Sequence, residues 1–482
     1  MNKTTTKISN TNPARPTRSR RVNFGAIHKR ISRPVTRPKG RLRNKREKDL
    51  SDISDIEVLS EYREILNTVR ERRQSVFLSG PAGTGKTTAI QYTRANLDRC
   101  AVVAPTAVAA MNIGGMTLHS FFSIPPRIVD PKELCEPRDQ IKPVIANLDV
   151  LIIDEVSMIP PNLIDCMDKS MRKTRDCDEP FGGVPVVFVG DLFQLPPVVK
   201  NDEEKKFYNE RYDGSIFFFS AEVMSELELT PIQLTRSFRQ QDPEFLAVLN
   251  NIRIGRDLEN STAYFNDRCI GKTDPNAAES TYLVPTNHAA DARNKERLRH
   301  INQLKVEYEA SFEGSFNPRT SRLPAPEKLE LKCGARVVFL KNHYPDWING
   351  TVGEVTKLET DNIWVRILKD GRNVSVPRET WNEYAQWYND ETERIENRIT
   401  GTFTQFPLMA AWAMTIHKAQ GMTLDSVRID LDQGTFCTGQ AYVALSRCRT
   451  VEGITLKRKI QQDDVQVDGD VLAFYRELGF LE

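Results

Sequence analysis

No two of the eight cysteines in this 482-residue chain are spaced C-x-x-C; they lie scattered from Cys100 to Cys448. That excludes the usual zinc knuckle and disulfide framework and fits a reducing compartment. Also missing is any apolar run near the roughly 18 residues of a membrane span, and the basic N-terminus lacks the apolar stretch of a secretory signal. A soluble, intracellular chain with no membrane partner is expected. Strong net charge is absent too, at +2, but near-neutrality conceals two unlike bodies. Residues 1–50 hold 16 Lys and Arg against Glu47 and Asp49, a balance of +14, which leaves 51 basic and 63 acidic residues, or −12, for the remainder.

The first fifty residues are rich in Thr, Ser, Asn, Arg and Pro, with prolines at 13, 16, 34 and 38, and are expected to be a disordered basic tail. A nucleic-acid tether, a targeting segment and a solubilising tail all remain open for it; Arg41 to Lys48 resembles a nuclear localisation run. Cytoplasm or nucleoid is the expected location, with nucleus or mitochondrion if the tail is an address. The chain's length predicts two or three domains.

What is present is concentrated at Gly80-Pro81-Ala82-Gly83-Thr84-Gly85-Lys86-Thr87. Glycines let backbone amides turn onto phosphate oxygens, Lys86 reaches the β and γ phosphates, and Thr87 offers a hydroxyl to Mg²⁺. The apolar Val76-Phe77-Leu78 before it reads as a buried strand. The helix opening at Thr88 presents its positive end to the triphosphate.

Further apolar runs end in polar residues: Val102 to Thr106, Leu148 to Glu155, and Val184 to Asp191. This is the pattern of a parallel sheet covered by helices, with ligand beyond the carboxyl ends of the strands. A first α/β domain is expected over 51–233 and a second over 234–482. Within the second, short strands between Asn-Gly and Asp-Gly turns predict a β module at about 330–400, strand-like from Leu331 to Trp381. The α/β pattern is expected to return at Leu408 to Ala413.

Among the polar strand ends, Asp154 suits the Mg²⁺ shell and Glu155 the polarising of an attacking water. Gln194, in Gly190 to Pro197, can bond both γ phosphate and water. Arg239 and Arg447 are the candidates to meet transition-state charge, since guanidinium pairs in a planar fork with phosphate.

In their order, GPAGTGKT, APTAVAAMNIGGMTLHSFF, LIIDEVSM, PFGGVPVVFVGDLFQLPPV, LTRSFRQ, AWAMTIHKAQGMTLDSV and GQAYVALSRCRT resemble the superfamily 1 DNA helicases of the RecD-like group, and more narrowly the PIF (petite integration frequency) family. Ile164 to Arg175 is similar to that family's signature helix. The resemblance covers about residues 56 to 457 and leaves out the tail. It implies two RecA-like parallel-sheet P-loop domains, a small wedge insertion at about 122–147 in the first and an SH3-like insertion in the second. It also implies an ATP-dependent helicase moving 5′-to-3′ on single-stranded DNA and unwinding forked or tailed duplex, in replication, recombination, repair or chromosome-end maintenance. The expected form is a monomer working beside replication or repair proteins. Gly80, Gly83, Thr84, Gly85, Lys86, Thr87, Thr88, Asp154, Glu155, Gln194, Arg239 and Arg447 match its ATP site, with Mg²⁺ at Thr87 and Asp154. Thr106, His119, Thr286, Asn287, His417 and Lys418 fall in motifs that track DNA in similar helicases. Where those helicases place an adenine-reading glutamine this chain has Tyr62, which implies stacking on the base and relaxed nucleotide choice. A translocase that strips bound protein without unwinding, and a binding protein switched by ATP, are the competing readings; Glu155 and the two arginines disfavour the switch.

Overall fold

The computed structural model describes residues 57–133, 136–271, 280–316, 323–343, 345–431 and 434–482. The basic tail expected over 1–50 lies outside them. Six strands form the first sheet: Ser75–Ser79 (β1), Cys100–Ala104 (β2), Met116–Thr117 (β3), Val150–Ile153 (β4), Val186–Val189 (β5) and Leu229–Gln233 (β6). Their order is β3-β2-β4-β5-β1-β6 and every pairing is parallel. The central strands are apolar throughout because both faces are covered. Val76, Leu78, Val102, Ile152 and Val187 point to one side, in a cluster with Tyr62, Ile65, Ala89 and Ile90. Phe77, Val103, Ile153 and Phe188 point to the other, in a cluster with Ile164, Met167 and Met171.

Those last three belong to the family-signature helix, Pro161–Arg175, whose acidic residues tie loops to the core. Asp165 accepts the Tyr212 hydroxyl at 2.9 Å and the backbone amides of Glu222 and Val223 at 3.1 Å. Asp168 pairs with Arg172 at 2.8 Å and accepts the Phe181 amide at 2.7 Å. The stretch 122–147, where a wedge is expected, lies against the same core through Phe122, Ile124, Val129 and Ile141, with Pro126 and Arg127 exposed.

Thr281–Val284 (β7) opens a second sheet that is completed only after a long excursion. The excursion comprises Val306–Glu309 (β8), Ser311–Gly314 (β9), Lys328–Leu331 (β10), Arg336–Phe339 (β11), Val352–Leu358 (β12), Asn362–Ile367 (β13), Asn373–Pro377 (β14), Glu379–Asn389 (β15), Arg394–Gln405 (β16) and Leu408–Ala410 (β17). Ala413–Thr415 (β18), Val427–Ile429 (β19) and Ile454–Leu456 (β20) then finish the second sheet, parallel in the order β18-β7-β19-β20. The predicted β module is an antiparallel five-stranded sheet, β14-β13-β12-β11-β17.

Two sequence expectations need correcting. The run from Leu408 does not rejoin the α/β sheet at once, because β17 pairs antiparallel with β11 and only β18 enters the second sheet. Both are short apolar runs, and periodicity carries no record of the partner. The strand-like region also does not end at Trp381: β15 and β16 form a hairpin of 11 and 12 residues, joined by β9. Its far end reaches the first body, where the Ile395 amide donates to Asp98 O at 3.1 Å, Arg394 pairs with Asp98 at 3.2 Å and Asn397 donates to Gly114 O.

The chain's end returns to the first body as well. In the helix Gly469–Glu477, Phe474 stacks on Phe219 with centroids 4.4 Å apart, and Tyr475 meets Phe77 edge-on at 5.9 Å. Among the described residues no helix is long and apolar enough to cross a membrane.

Candidate nucleotide site and nucleic-acid track

Between β1 and the helix Lys86–Ala95 the chain turns through Gly83 at φ 83° and Gly85 at φ 92°. Both angles favour glycine. The loop has no room to spare: a Cβ at Gly83 would stand 2.6 Å from Cβ of Arg239, and one at Gly85 would stand 2.5 Å from the Tyr62 hydroxyl. Lys86 Nζ donates to the carbonyls of Gly80 at 2.6 Å and Pro81 at 3.0 Å. Burial pulls its pKa below the ordinary lysine range, against the opposing pull of Asp191, Glu155 and Asp154. Thr84 is buried and donates to Pro81 O at 2.9 Å, Thr87 is exposed on the first helical turn, and Thr88 is half-buried.

Strand β4 delivers the two carboxylates. Asp154 Oδ1 accepts the Glu155 amide at 2.9 Å, and Glu155 sits at φ 48°, a strained angle for a side-chain-bearing residue. Burial, then the neighbouring Glu155, pushes Asp154 up to about 7; burial likewise raises Glu155, against Lys86 and Arg447. A buried Asp154 beside a half-buried Glu155 is a fitting seat for a hard divalent cation. No cluster of three or more His, Cys, Asp or Glu is found among the described residues. Mg²⁺ needs only one or two protein oxygens, with phosphate and water supplying the rest. Asp154 and the Thr87 hydroxyl would be those oxygens.

The second body closes over this site. Gln194, 6% exposed, lies against Gln420, whose Nε2 is 3.3 Å from Gln194 Oε1 and 3.4 Å from Glu155 Oε2. Arg447 is 1% exposed and donates from Nε to Val443 O at 2.8 Å and from Nη2 to Ser446 Oγ at 2.8 Å. Arg239 Nη1 donates to Ser446 O at 3.3 Å, so two guanidinium groups converge on one residue. Burial, then Arg239, brings Arg447 down to about 9, and burial lowers Arg239 as well. A buried and a half-buried guanidinium that share Ser446 as a partner suit an anion such as phosphate.

Four residues of this site escape sequence reasoning. Gln420 stands two positions after Lys418 in a motif already singled out, so its signal is available. Arg253, in the helix Pro243–Ile254, pairs with Asp191 at 2.8 Å with both side chains almost fully buried, and no motif marks it. Tyr442 OH accepts the Ala82 amide at 3.0 Å, joining the second body to the phosphate loop. Phe238 is 47% exposed, lies 3.6 Å from the Cβ position of Gly85, and carries Arg236 over its ring at 4.8 Å. Tyr62 requires a correction. It is 1% exposed, donates to Gly85 O at 3.1 Å and packs against Tyr92, so its ring props the phosphate loop from beneath and has no open face for a base.

The residues expected to track a strand lie at the carboxyl ends of paired strands. Thr106 follows β2, and its Oγ1 accepts the Ala109 amide at 3.2 Å as an N-cap; His119 follows the neighbouring β3, with Nδ1 3.0 Å from Ile124 O and its pKa lowered by burial. Thr286 follows β7 and caps the helix Asn287–His300 through the Ala289 amide at 3.3 Å, leaving Thr286 and Asn287 exposed. His417 and Lys418 follow the neighbouring β18, where Thr415 Oγ1 accepts the Lys418 amide at 3.2 Å. Thr106 and His119 share the carboxyl edge of the first sheet, which carries the phosphate loop, and Thr286, Asn287, His417 and Lys418 share the carboxyl edge of the second.

Two parallel sheets, one phosphate loop and two arginines brought to it from outside the first sheet define a two-lobed P-loop ATPase motor. Residues 57–262 match the family model of PIF1-like helicases. The chain is 33% identical over 439 residues to the ATP-dependent DNA helicase Pif1 of Bdellovibrio bacteriovorus, covering 89% of this chain and 94% of that protein. It is 32% identical over 480 residues to the ATP-dependent DNA helicase PIF1 of Emericella nidulans, covering 86% of this chain but only 62% of the fungal protein. Pif1 from Bacteroides in complex with ADP-AlF4 is 37% identical with a TM-score of 0.81, covering 88% of this chain and 98% of that one. Bacteroides Pif1 bound to single-stranded DNA gives 0.63, at 36% identity, over 88% and 97%. The chain belongs to the PIF1-like helicase family, and both its sheets are RecA-like.

Proposed function

We propose that the chain is an ATP-hydrolysing DNA helicase that uses Mg²⁺, advances 5′-to-3′ on single-stranded DNA and parts forked or tailed duplex. The observation that carries this reading is the seam itself: Gln420 of the second body touches both Glu155 and Gln194, while Arg239 and Arg447 converge beside them. In this reading Glu155 polarises the attacking water, Gln194 and Gln420 orient it against the γ phosphate, and the two arginines meet charge that develops as the phosphate leaves. Asp154 and Thr87 would hold Mg²⁺, which when bound would supply positive charge against that of the triphosphate. Phe238, exposed beside Gly85, offers the nucleobase a face that Tyr62 does not.

Closure of the lobes on ATP then changes the spacing between Thr106 and His119 on one sheet and Thr286, Asn287, His417 and Lys418 on the other. Alternating that spacing moves a strand. Opening a base-pair step costs about 1.4 kcal/mol on average, within reach of one ATP. The test is unwinding and streptavidin displacement measured together on 5′-tailed, 3′-tailed and forked duplexes. Unwinding of 5′-tailed substrates is expected; displacement without unwinding would favour a protein-stripping translocase, and ATP hydrolysis indifferent to DNA would overturn both.

A further inference from the structure

Phe436 is 60% exposed, one of few large apolar side chains so placed among the described residues. Its loop is held where it is: the Phe436 amide donates to Gln440 Oε1 at 3.1 Å, Thr435 Oγ1 donates to Asp464 O at 2.9 Å, and Gln466 Nε2 donates to Thr435 O at 3.1 Å. Three bonds thus fix a ring in water that the hydrophobic effect would hide. The ring lies almost parallel to His417, 8° between planes and 5.9 Å between centroids, an offset arrangement that leaves flat surface open. His417 belongs to the short helix Ile416–Ala419, and the residue after that helix, Gln420, touches Glu155 and Gln194.

We infer that Phe436, with His417 beside it, is a stacking platform for one base of the single strand on the second lobe, linked through one short helix to the hydrolytic carboxylate. The inference rests on the helicase reading above and adds a base-stacking contact to a track otherwise built from helix caps and polar side chains. Stacking suits this place because every base has a π face, so the grip is indifferent to sequence. It also gives strand occupancy a mechanical route to the ATP site: a base seated on the pair fixes His417, and through the same short helix fixes Gln420 against Glu155.

The experiment measures affinity of the full chain for an oligothymidylate and for an oligomer of equal length carrying abasic positions. Phe436→Ala is expected to bind the first about ten-fold more weakly than wild type and the second equally well, with Phe436→Trp restoring the difference. A variant as tight as wild type on oligothymidylate, or one that weakens equally on both strands, overturns the platform alone. A wild-type chain that binds neither strand overturns the helicase reading beneath it.

Discussion

The two sheets leave their crests by nearly the same words. Strand β2 exits as Ala104-Pro105-Thr106 and β7 as Val284-Pro285-Thr286; β3 exits as Met116-Thr117-Leu118-His119 and β18 as Met414-Thr415-Ile416-His417. In each lobe the two strands are parallel neighbours, and in each both threonines cap the helix that follows. Chemistry separates them. The first lobe adds a glycine loop, Lys86 and two carboxylates, whereas the second adds Arg447, Arg253 and Gln420 and no phosphate loop. Equivalent crests, with unlike halves of one ATP site between them, are what a motor needs if hydrolysis is to change the distance between the crests.

The sharpest way to break that division of labour is at Arg447. Arg447→Ala should lower DNA-stimulated ATP turnover by about 10³–10⁵-fold, as removal of an arginine finger does, with nucleotide affinity measured alongside to separate chemistry from binding. If turnover falls less than ten-fold, the second lobe is not supplying transition-state charge. Lys86→Ala attacks the same site from the first lobe, and about 10²–10³-fold reduction in turnover is expected with single-strand binding retained.

Next in size is the weld between lobes. Arg253 lies over Phe193 at 4.5 Å while paired to Asp191, and Arg253→Met strands that carboxylate in the interior. About 3–5 kcal/mol of stability should go, read by denaturant unfolding, and the double variant Asp191→Leu/Arg253→Met should recover part of it. A single variant as stable as wild type would mean the pair is solvated.

A smaller effect runs with pH. Asp154 stands at about 7 in the folded chain against about 3.9 unfolded, so the folded state holds the extra proton between those values and stability from this group falls as pH rises through them. Asp154→Asn should therefore raise the nucleotide-free Tm at pH 7.5 by about 2–4 °C while removing Mg²⁺-dependent hydrolysis. An unchanged Tm would show that the carboxylate is not penalised. Smallest are the crests: Thr106→Ala and Thr286→Ala should each cost about 1 kcal/mol in stability, and a large inequality between them would undo the equivalence of the two lobes. Removing residues 1–50 should flatten the salt dependence of strand binding by about 0.7 for each phosphate that the tail neutralises, and an unchanged slope would deny the tail a tethering role.

How far the sequence is legible differs by element. The glycine loop, the carboxylates on β4 and the capped crests are local in sequence, since each needs only a few adjacent residues to state its chemistry. Tyr62 reads as a base-stacking residue because its position along the chain matches an adenine reader; its burial under Gly85 depends on packing that no neighbouring residue announces. Arg253 is invisible for the same reason, being one basic residue in an apolar helix until Asp191 stands opposite.

The amino-acid order by itself settled the class of chemistry and the parallel character of the first sheet, because phosphate loops, metal-binding carboxylates and doubly covered strands impose short-range rules on composition; the second parallel sheet was expected only from the family resemblance. Only the folded chain decided which residues meet across the seam, that β17 belongs to the inserted sheet, and that the last helix returns to the first body. Those outcomes are contacts between segments tens to hundreds of residues apart, chosen by buried area and charge pairing, and neither quantity exists until the chain has closed on itself.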